Sequence, residues 1–282
     1  MKLGIDEWCF HASMMMGKFD VLDFPEVASR YGAEGICLDY FLLPRSVRRD
    51  PARLKDRLIQ YNIEFIFGFS VPFSLPAAAL RISTGMKRRM FDLAHFFGAT
   101  IVRLIGTVIV PISGIGRPIQ LALNRSAQLD RVIRNLRPFA AEARSEGITL
   151  ALENHTDFKV GEMERILDDV NADNLKLTLD TGNAVMQFED PYDTAARLAP
   201  HAAYTHIKNM KGQGYFCKTT QLDQGDIDIH RIMQIIHDSG YRGLYALEFD
   251  FNLWDWKKEE PAVAASLQYM KSLARQIAPE EG

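Results

Sequence analysis

Short apolar runs alternate with longer amphipathic stretches along the whole chain. The runs are KLGIDEW, EGICLDY, EFIFGF, TIVRLIG, ITLALEN, LKLTLD, AYTHIK and LYALEF, eight in all. Each is too short for a typical helix, and most are apolar on both parities, as strands buried on both faces of a parallel sheet must be. Between them lie stretches such as Phe24 to Tyr31, Thr84 to Phe97, Ser126 to Glu146 and Ile229 to Ser239, whose apolar positions recur at helical spacing. Several end in a glycine-bearing turn, namely YGAEG, FGAT, EGIT and SGYRG. A glycine there relieves the strain of a left-handed helix C-cap. No linker, low-complexity segment or charged block interrupts the series. Eight βα units without a boundary predict one domain over residues 1–282, a single (β/α)8 TIM barrel of the α/β class.

Barrels of this kind carry their active sites at the C-terminal ends of the strands. In the second half of the chain, Glu153, Asp180, His206 and Glu248 each end an apolar run. A carboxylate ending a buried strand is costly unless its charge is offset. Four such endings in series point to one shared solution, a divalent cation held by Glu153, Asp180, His206 and Glu248. Three carboxylates and an imidazole make an oxygen-rich set suited to Mn²⁺, with Mg²⁺ or Co²⁺ as alternatives, rather than to structural zinc.

Strand side chains alternate between faces, so His155 shares a face with Glu153, and Lys208 with His206. His155 and Lys208 then stand at the mouth, above those residues. Arg103 is a cation in the middle of an apolar run and points inward, toward a carboxylate or a substrate oxygen. Asn183 and Asp157 follow strands 6 and 5 and read as loop residues that cap or turn, Asn183 also being a candidate for substrate contact. His11 and His95 read as a loop and a helix residue. The aromatics Trp8, Phe10, Phe67, Phe69, Phe73, Trp254 and Trp256 lie near strand ends. Core packing accounts for most of them, and Trp8 is a candidate wall against which a sugar ring stacks.

Composition narrows the partners. The net charge is −3, with no basic run or face, which argues against nucleic acid. The three cysteines, Cys9, Cys37 and Cys217, are scattered and read as free thiols of a reducing compartment. Asp6 and Glu7 stand where a signal peptide needs an apolar core. The apolar stretch from Ile63 to Leu80 is broken by Glu64, Pro72 and Pro76, so it cannot span a membrane. The expectation is a cytoplasmic protein with a small-molecule partner, leaving open a homo-oligomer or a partner subunit.

These residues, in this order, resemble the xylose isomerase-like barrel superfamily of sugar isomerases, epimerases and dehydratases. The likeness covers almost the whole chain. Its specific parts are ALEN at 151–154, LDTGN at 179–183, THIK at 205–208, QGDID at 224–228 and GYRGLYALE at 240–248. The resemblance implies that Glu153 and Glu248 bind the metal and form the acid–base pair, with Asp180 and His206 as the other ligands. It implies proton abstraction beside the carbonyl of a keto-sugar, giving an isomer or epimer. If a leaving group lies β to the carbanion, the same step gives a lyase. The chain departs from the ketose 3-epimerase pattern at Asn183, where those enzymes usually have histidine, and at NMKGQG, where they tend to carry arginine. Those departures, with His155 as a further acid or base, point toward an oxidised substrate such as a keto-glycoside or keto-inositol. A nuclease of the same barrel would need a histidine-rich three-metal cluster and a basic face, and the chain has neither.

Overall fold

All eight apolar runs are barrel strands in the computed structural model, which describes residues 1–80, 84–106 and 125–279. They are β1 (Lys2–Asp6), β2 (Gly35–Asp39), β3 (Glu64–Ser70), β4 (Ile101–Ile105), β5 (Thr149–Glu153), β6 (Leu175–Asp180), β7 (Ala202–Ile207) and, after a small hairpin, β10 (Leu244–Leu247). Every neighbouring pair is parallel, and β10 closes the ring by pairing with both β7 and β1. The architecture is a closed (β/α)8 TIM barrel, with helices including Phe24–Arg30, Thr84–Phe97, Arg125–Ser145 and Ile229–Asp238 between the strands. In the four glycine-bearing turns, Gly32, Gly98, Gly147 and Gly240 all take positive φ, from 68° to 90°. That conformation is cheap only without a Cβ.

The alternation of strand side chains builds two separate layers. Outward-facing residues such as Ile36, Leu38, Phe67, Leu150, Leu152, Leu177, Leu179 and Leu247 belong to one large core beneath the helices. Each large apolar side chain buried there contributes roughly 1.5–3 kcal/mol. The inward positions form a small apolar plug of Cys37, Ile66, Ala151, Tyr204, Leu244 and Ala246. Above this plug the same inward register turns polar and charged, with Asp6, Asp39, Arg103, Glu153, Asp180, His206 and Glu248 all buried. The outer apolar layer therefore holds the barrel together while the inside is free to carry charge.

One glycine is required by that charged layer. A Cβ on Gly68 of β3 would lie 2.7 Å from Arg103 Nη2, so its absence makes room for the guanidinium. The hairpin between β7 and β10 pairs β8 (Asn209–Lys211) with β9 (Lys218–Thr220), antiparallel. It is pinned by Asn209, whose Nδ2 donates to the carbonyls of Leu222 and Ile227 and whose Oδ1 accepts from the Ile227 N–H. The apolar runs of the sequence do not include this segment. Strands of three residues carry too little alternation to stand out.

Candidate active site

Asp180 is the last residue of β6, and its two oxygens have divided tasks. Oδ1 accepts the backbone N–H groups of Gly182 and Asn183 at 2.7 and 2.8 Å, capping the short helix Asn183–Met186. Oδ2 is buried without a hydrogen-bond partner. The Asp180 backbone is fixed to β5 by Asn154, which accepts its N–H at 2.7 Å and donates to its carbonyl at 2.9 Å.

His206 sits beside Asp180 on β7, with which it is paired in register. Its Nδ1 lies 3.2 Å from Glu248 Oε2, 3.7 Å from Asp180 Oδ2 and 3.9 Å from Glu153 Oε1. Ligand atoms of Glu153, Asp180 and His206 all lie within 4.8 Å of one another. Glu248 stands outside that tightest group of three but faces the same imidazole nitrogen. The four strand-end residues thus come together from β5, β6, β7 and the end of β10. The donor set and the unpartnered Asp180 Oδ2 and His206 Nδ1 fit a divalent cation.

Cations surround this cluster unequally. Lys208 Nζ is 3.0 Å from Glu248 Oε2 and 3.6 Å from Asp180 Oδ2. Its stem runs over Gly182, where a Cβ would come within 3.0 Å of the Lys208 side chain. Burial pushes the Glu248 carboxyl up, but Lys208 and His206 outweigh it and hold Glu248 well below the usual carboxylate range. Burial also raises Glu153, and there His206 and Arg103 only partly oppose it, so Glu153 stays above its ordinary value. For His206 and Lys208, burial disfavours the charged form, yet the surrounding carboxylates win and both sit well above their ordinary values. A divalent cation competes with these protons, because its ligands must be deprotonated.

Arg103 is 1% exposed, with its guanidinium among carboxylates. It lies 3.4 Å from Glu153 Oε2, 3.5 Å from Asp39 Oδ2 and 3.7 Å from Glu7 Oε1. Of the two directions open to it in the sequence, the geometry takes the carboxylate one. Glu7 and Asp39 belong to the same layer. Burial holds both above the usual carboxylate range despite Arg103, and Glu7 is also raised by Asp6 and Asp39. The sequence reading missed Asp6, Glu7 and Asp39 as neighbours of the site. The signal was present, since the runs of β1 and β2 also end in carboxylates.

Above the charged layer opens a cleft of about 910 Å³, lined by Trp8, His155, Asn183, Lys208, Met210 and Phe251 among others. His155 is half-buried there, its Nδ1 3.3 Å from Asp157 Oδ2. Burial lowers the imidazole's affinity for a proton, but Asp157 and Glu153 reverse the effect and raise it. Asp157, read from sequence as a turn residue, is therefore the partner of His155. Asn183 Nδ2 donates to Glu153 Oε1 at 3.4 Å, which places it against a candidate ligand as well as on the cleft. Trp8 stands on the cleft wall, 5.0 Å from the His11 ring. His11 begins a short helix, His11–Met15, rather than lying in a loop. Trp254, grouped from sequence with mostly core aromatics, is 85% exposed. No described helix is long and apolar enough to cross a membrane.

Known proteins share this arrangement of strands. Inosose dehydratase of Lacticaseibacillus casei is 22% identical over 196 residues, 58% of this chain and 62% of that protein. The chain thus spans less than two thirds of the length of the curated relatives it matches. The solved structure of IolI with a bound zinc atom superposes with a TM-score of 0.78 at 15% identity, over 99% of this chain and all of that one. D-psicose 3-epimerase from Clostridium cellulolyticum H10, solved with D-tagatose, gives a TM-score of 0.76 at 15% identity, over 97% of this chain and 99% of that one. The sequence profile of the xylose isomerase-like TIM barrel family matches residues 25–273, and the chain belongs to that family.

Proposed function

We propose that this protein is a divalent-metal-dependent enzyme that moves a proton next to the carbonyl of a keto-sugar or oxidised sugar derivative, yielding an isomer or epimer. The observation that carries the reading is the buried pair Asp180 Oδ2 and His206 Nδ1, 3.7 Å apart and both without hydrogen-bond partners, with Glu153 and Glu248 beside them. Glu153, Asp180, His206 and Glu248 would hold the cation, with Mn²⁺ favoured by the oxygen-rich set and Mg²⁺ or Co²⁺ as alternatives. The cation would supply Lewis-acid polarisation of the carbonyl. IolI, with its zinc, and the tagatose-bound epimerase lend weight to a metal-dependent sugar enzyme.

The side chains supply the proton chemistry. The two glutamates stand in different surroundings, Glu153 beside Arg103 and Glu248 beside Lys208. Glu248 and Glu153 reach the cluster from different strands, so one is placed to take the carbon-bound proton and the other to return one on the other side of the carbanion. Lys208, Asn183 and Trp8 would orient the substrate from the cleft wall, while Arg103 steadies Glu153 from below.

A lyase is the second reading, favoured by one observation. The His155–Asp157 pair stands on the cleft, beyond the cluster. A partly buried imidazole with a carboxylate partner can protonate a departing group. The likeness to inosose dehydratase points the same way.

The test is a screen of keto-sugars and keto-glycosides with Mn²⁺-loaded protein in D₂O. Epimerase or isomerase action incorporates solvent deuterium at one carbon, whereas a lyase product gains an enone absorbance. Glu153→Gln and Glu248→Gln should each lower turnover by about 10²–10⁴-fold, with metal content falling less. If either variant keeps near-normal turnover with metal bound, that glutamate serves only as a ligand.

A further inference from the structure

We propose that Asp6 is a positioning residue for His206, fixing the imidazole so that Nε2 carries the proton and Nδ1 is left bare toward the cation. The inference rests on the metal-dependent reading above. Asp6 is the last residue of β1 and is fully buried. Its Oδ1 accepts the backbone N–H of Trp8 at 3.0 Å, which orients the carboxylate. Its Oδ2 lies 3.2 Å from His206 Nε2. Asp6 Oδ2 and His206 Nε2 are both buried without a hydrogen-bond partner among the described residues, so at 3.2 Å each is the group available to satisfy the other.

The two ring nitrogens thus face opposite surroundings. Nδ1 looks onto Glu153, Asp180 and Glu248, while Nε2 looks onto Asp6. Because Asp6 stands on the far edge of the ring from that cluster, its place is behind the ligand. The ring plane is held by Tyr204, whose ring meets the imidazole edge-on at 5.1 Å and 84°. The strand between β7 and β1 is β10, and its residue level with both His206 and Gly4 is Ala246. A methyl group there leaves the interior open for Asp6 to reach across.

A neutral imidazole has one N–H and one lone pair, and its surroundings decide which nitrogen carries which. A carboxylate that accepts from Nε2–H selects the tautomer with the lone pair on Nδ1 and makes that nitrogen more basic. Partners of this kind behind a ligating histidine are typically worth about 10–100-fold in metal affinity.

The experiment titrates Mn²⁺ into metal-free wild type, Asp6→Ala and Asp6→Asn by calorimetry. Ring ¹⁵N spectra of the proteins saturated with diamagnetic Mg²⁺, which must displace any proton from the ligating nitrogen, report the His206 Nε2–H, and thermal melts check the fold. Asp6→Ala should lose about 10–100-fold in Mn²⁺ affinity. Asp6→Asn, which keeps an oxygen for the Trp8 N–H, should lose less and carries the test if Asp6→Ala folds poorly. In both, the His206 ring signals should shift from the Nε2–H pattern of wild type. Wild-type affinity and unchanged ring signals in the folded variants would overturn the role of Asp6 alone. A wild type that takes up no divalent cation would overturn the metal-dependent reading and this inference with it.

Discussion

Replacing Arg103 with methionine removes the cation that three buried carboxylates share. The guanidinium lies 3.4–3.7 Å from Glu153, Asp39 and Glu7, and none of the four side chains reaches solvent appreciably. Taking one partner from a buried ion pair costs about 3–5 kcal/mol, because an uncompensated charge is left behind. One cation here serves three acids, so the expected loss for Arg103→Met is at the upper end, about 5 kcal/mol. That is a large part of the roughly 5–15 kcal/mol that stabilises a typical native protein. Arg103→Lys keeps the charge but loses the fork that spans several oxygens, and should cost less.

The deficit should also depend on pH with a defined sign. Glu7 and Asp39 already sit above the usual carboxylate range, chiefly through burial, with Arg103 opposing the rise. Without Arg103 they rise further. A carboxyl whose folded value is raised gives its full stabilisation below its unfolded value and loses it as pH climbs through the folded one. Acidification from neutrality toward about pH 5 should therefore shrink the gap between Arg103→Met and wild type. Urea unfolding of the metal-free proteins at several pH values measures this, provided the slopes match. A gap under about 1 kcal/mol at neutral pH, in the range of an exposed pair, would refute the shared-cation account. So would a gap that widens on acidification.

Two further outcomes bear on the site. His155→Ala should cut the kcat of a lyase by about 10²–10⁴-fold, since a proton donor to the leaving group is lost, while an epimerase would suffer mainly in KM. If neither parameter moves, His155 is structural. Stripping the protein with a chelator should abolish turnover, and Mn²⁺ at a hundred times its Kd should restore about 2.7 kcal/mol of stability. Asp180→Ala should erase that gain in a thermal melt. If Mn²⁺, Mg²⁺ and Co²⁺ all leave the wild-type melt unmoved, the four strand-end residues hold no cation.

The barrel was legible because its signals are local. Each strand is an apolar run, and four turns need a glycine whose φ is indeed positive. The same strand-end signal that marks Glu153, Asp180, His206 and Glu248 stands at Asp6 and Asp39, where the first two strands end. What no local pattern could give is the partner of a buried charge. Arg103 meets Glu7 across the barrel, and nothing in the chain between them records that contact. Asn183 likewise reads as a turn residue until its amide is seen against Glu153. The exposure of Trp254 is of the same kind, since an aromatic near a strand end carries no mark of which way it faces.

The charges of the interior explain why the two halves of the site need different solutions. Six buried carboxylates, Asp6, Glu7, Asp39, Glu153, Asp180 and Glu248, face two fixed cations, Arg103 and Lys208, and one imidazole. On the Arg103 side one guanidinium serves Glu7, Asp39 and Glu153, and burial holds Glu7 and Asp39 above the usual carboxylate range. On the His206 side Glu248 is held ionised and Asp180 Oδ2 has no hydrogen-bond partner, so the remaining negative charge calls for a cation. Glu153 joins the halves, with Oε2 toward Arg103 and Oε1 toward Asn183 and His206. Fixing one oxygen to a buried guanidinium orients the other toward the cluster. Arg103 thus orients Glu153, a carboxylate of the cluster, without itself lining the cleft.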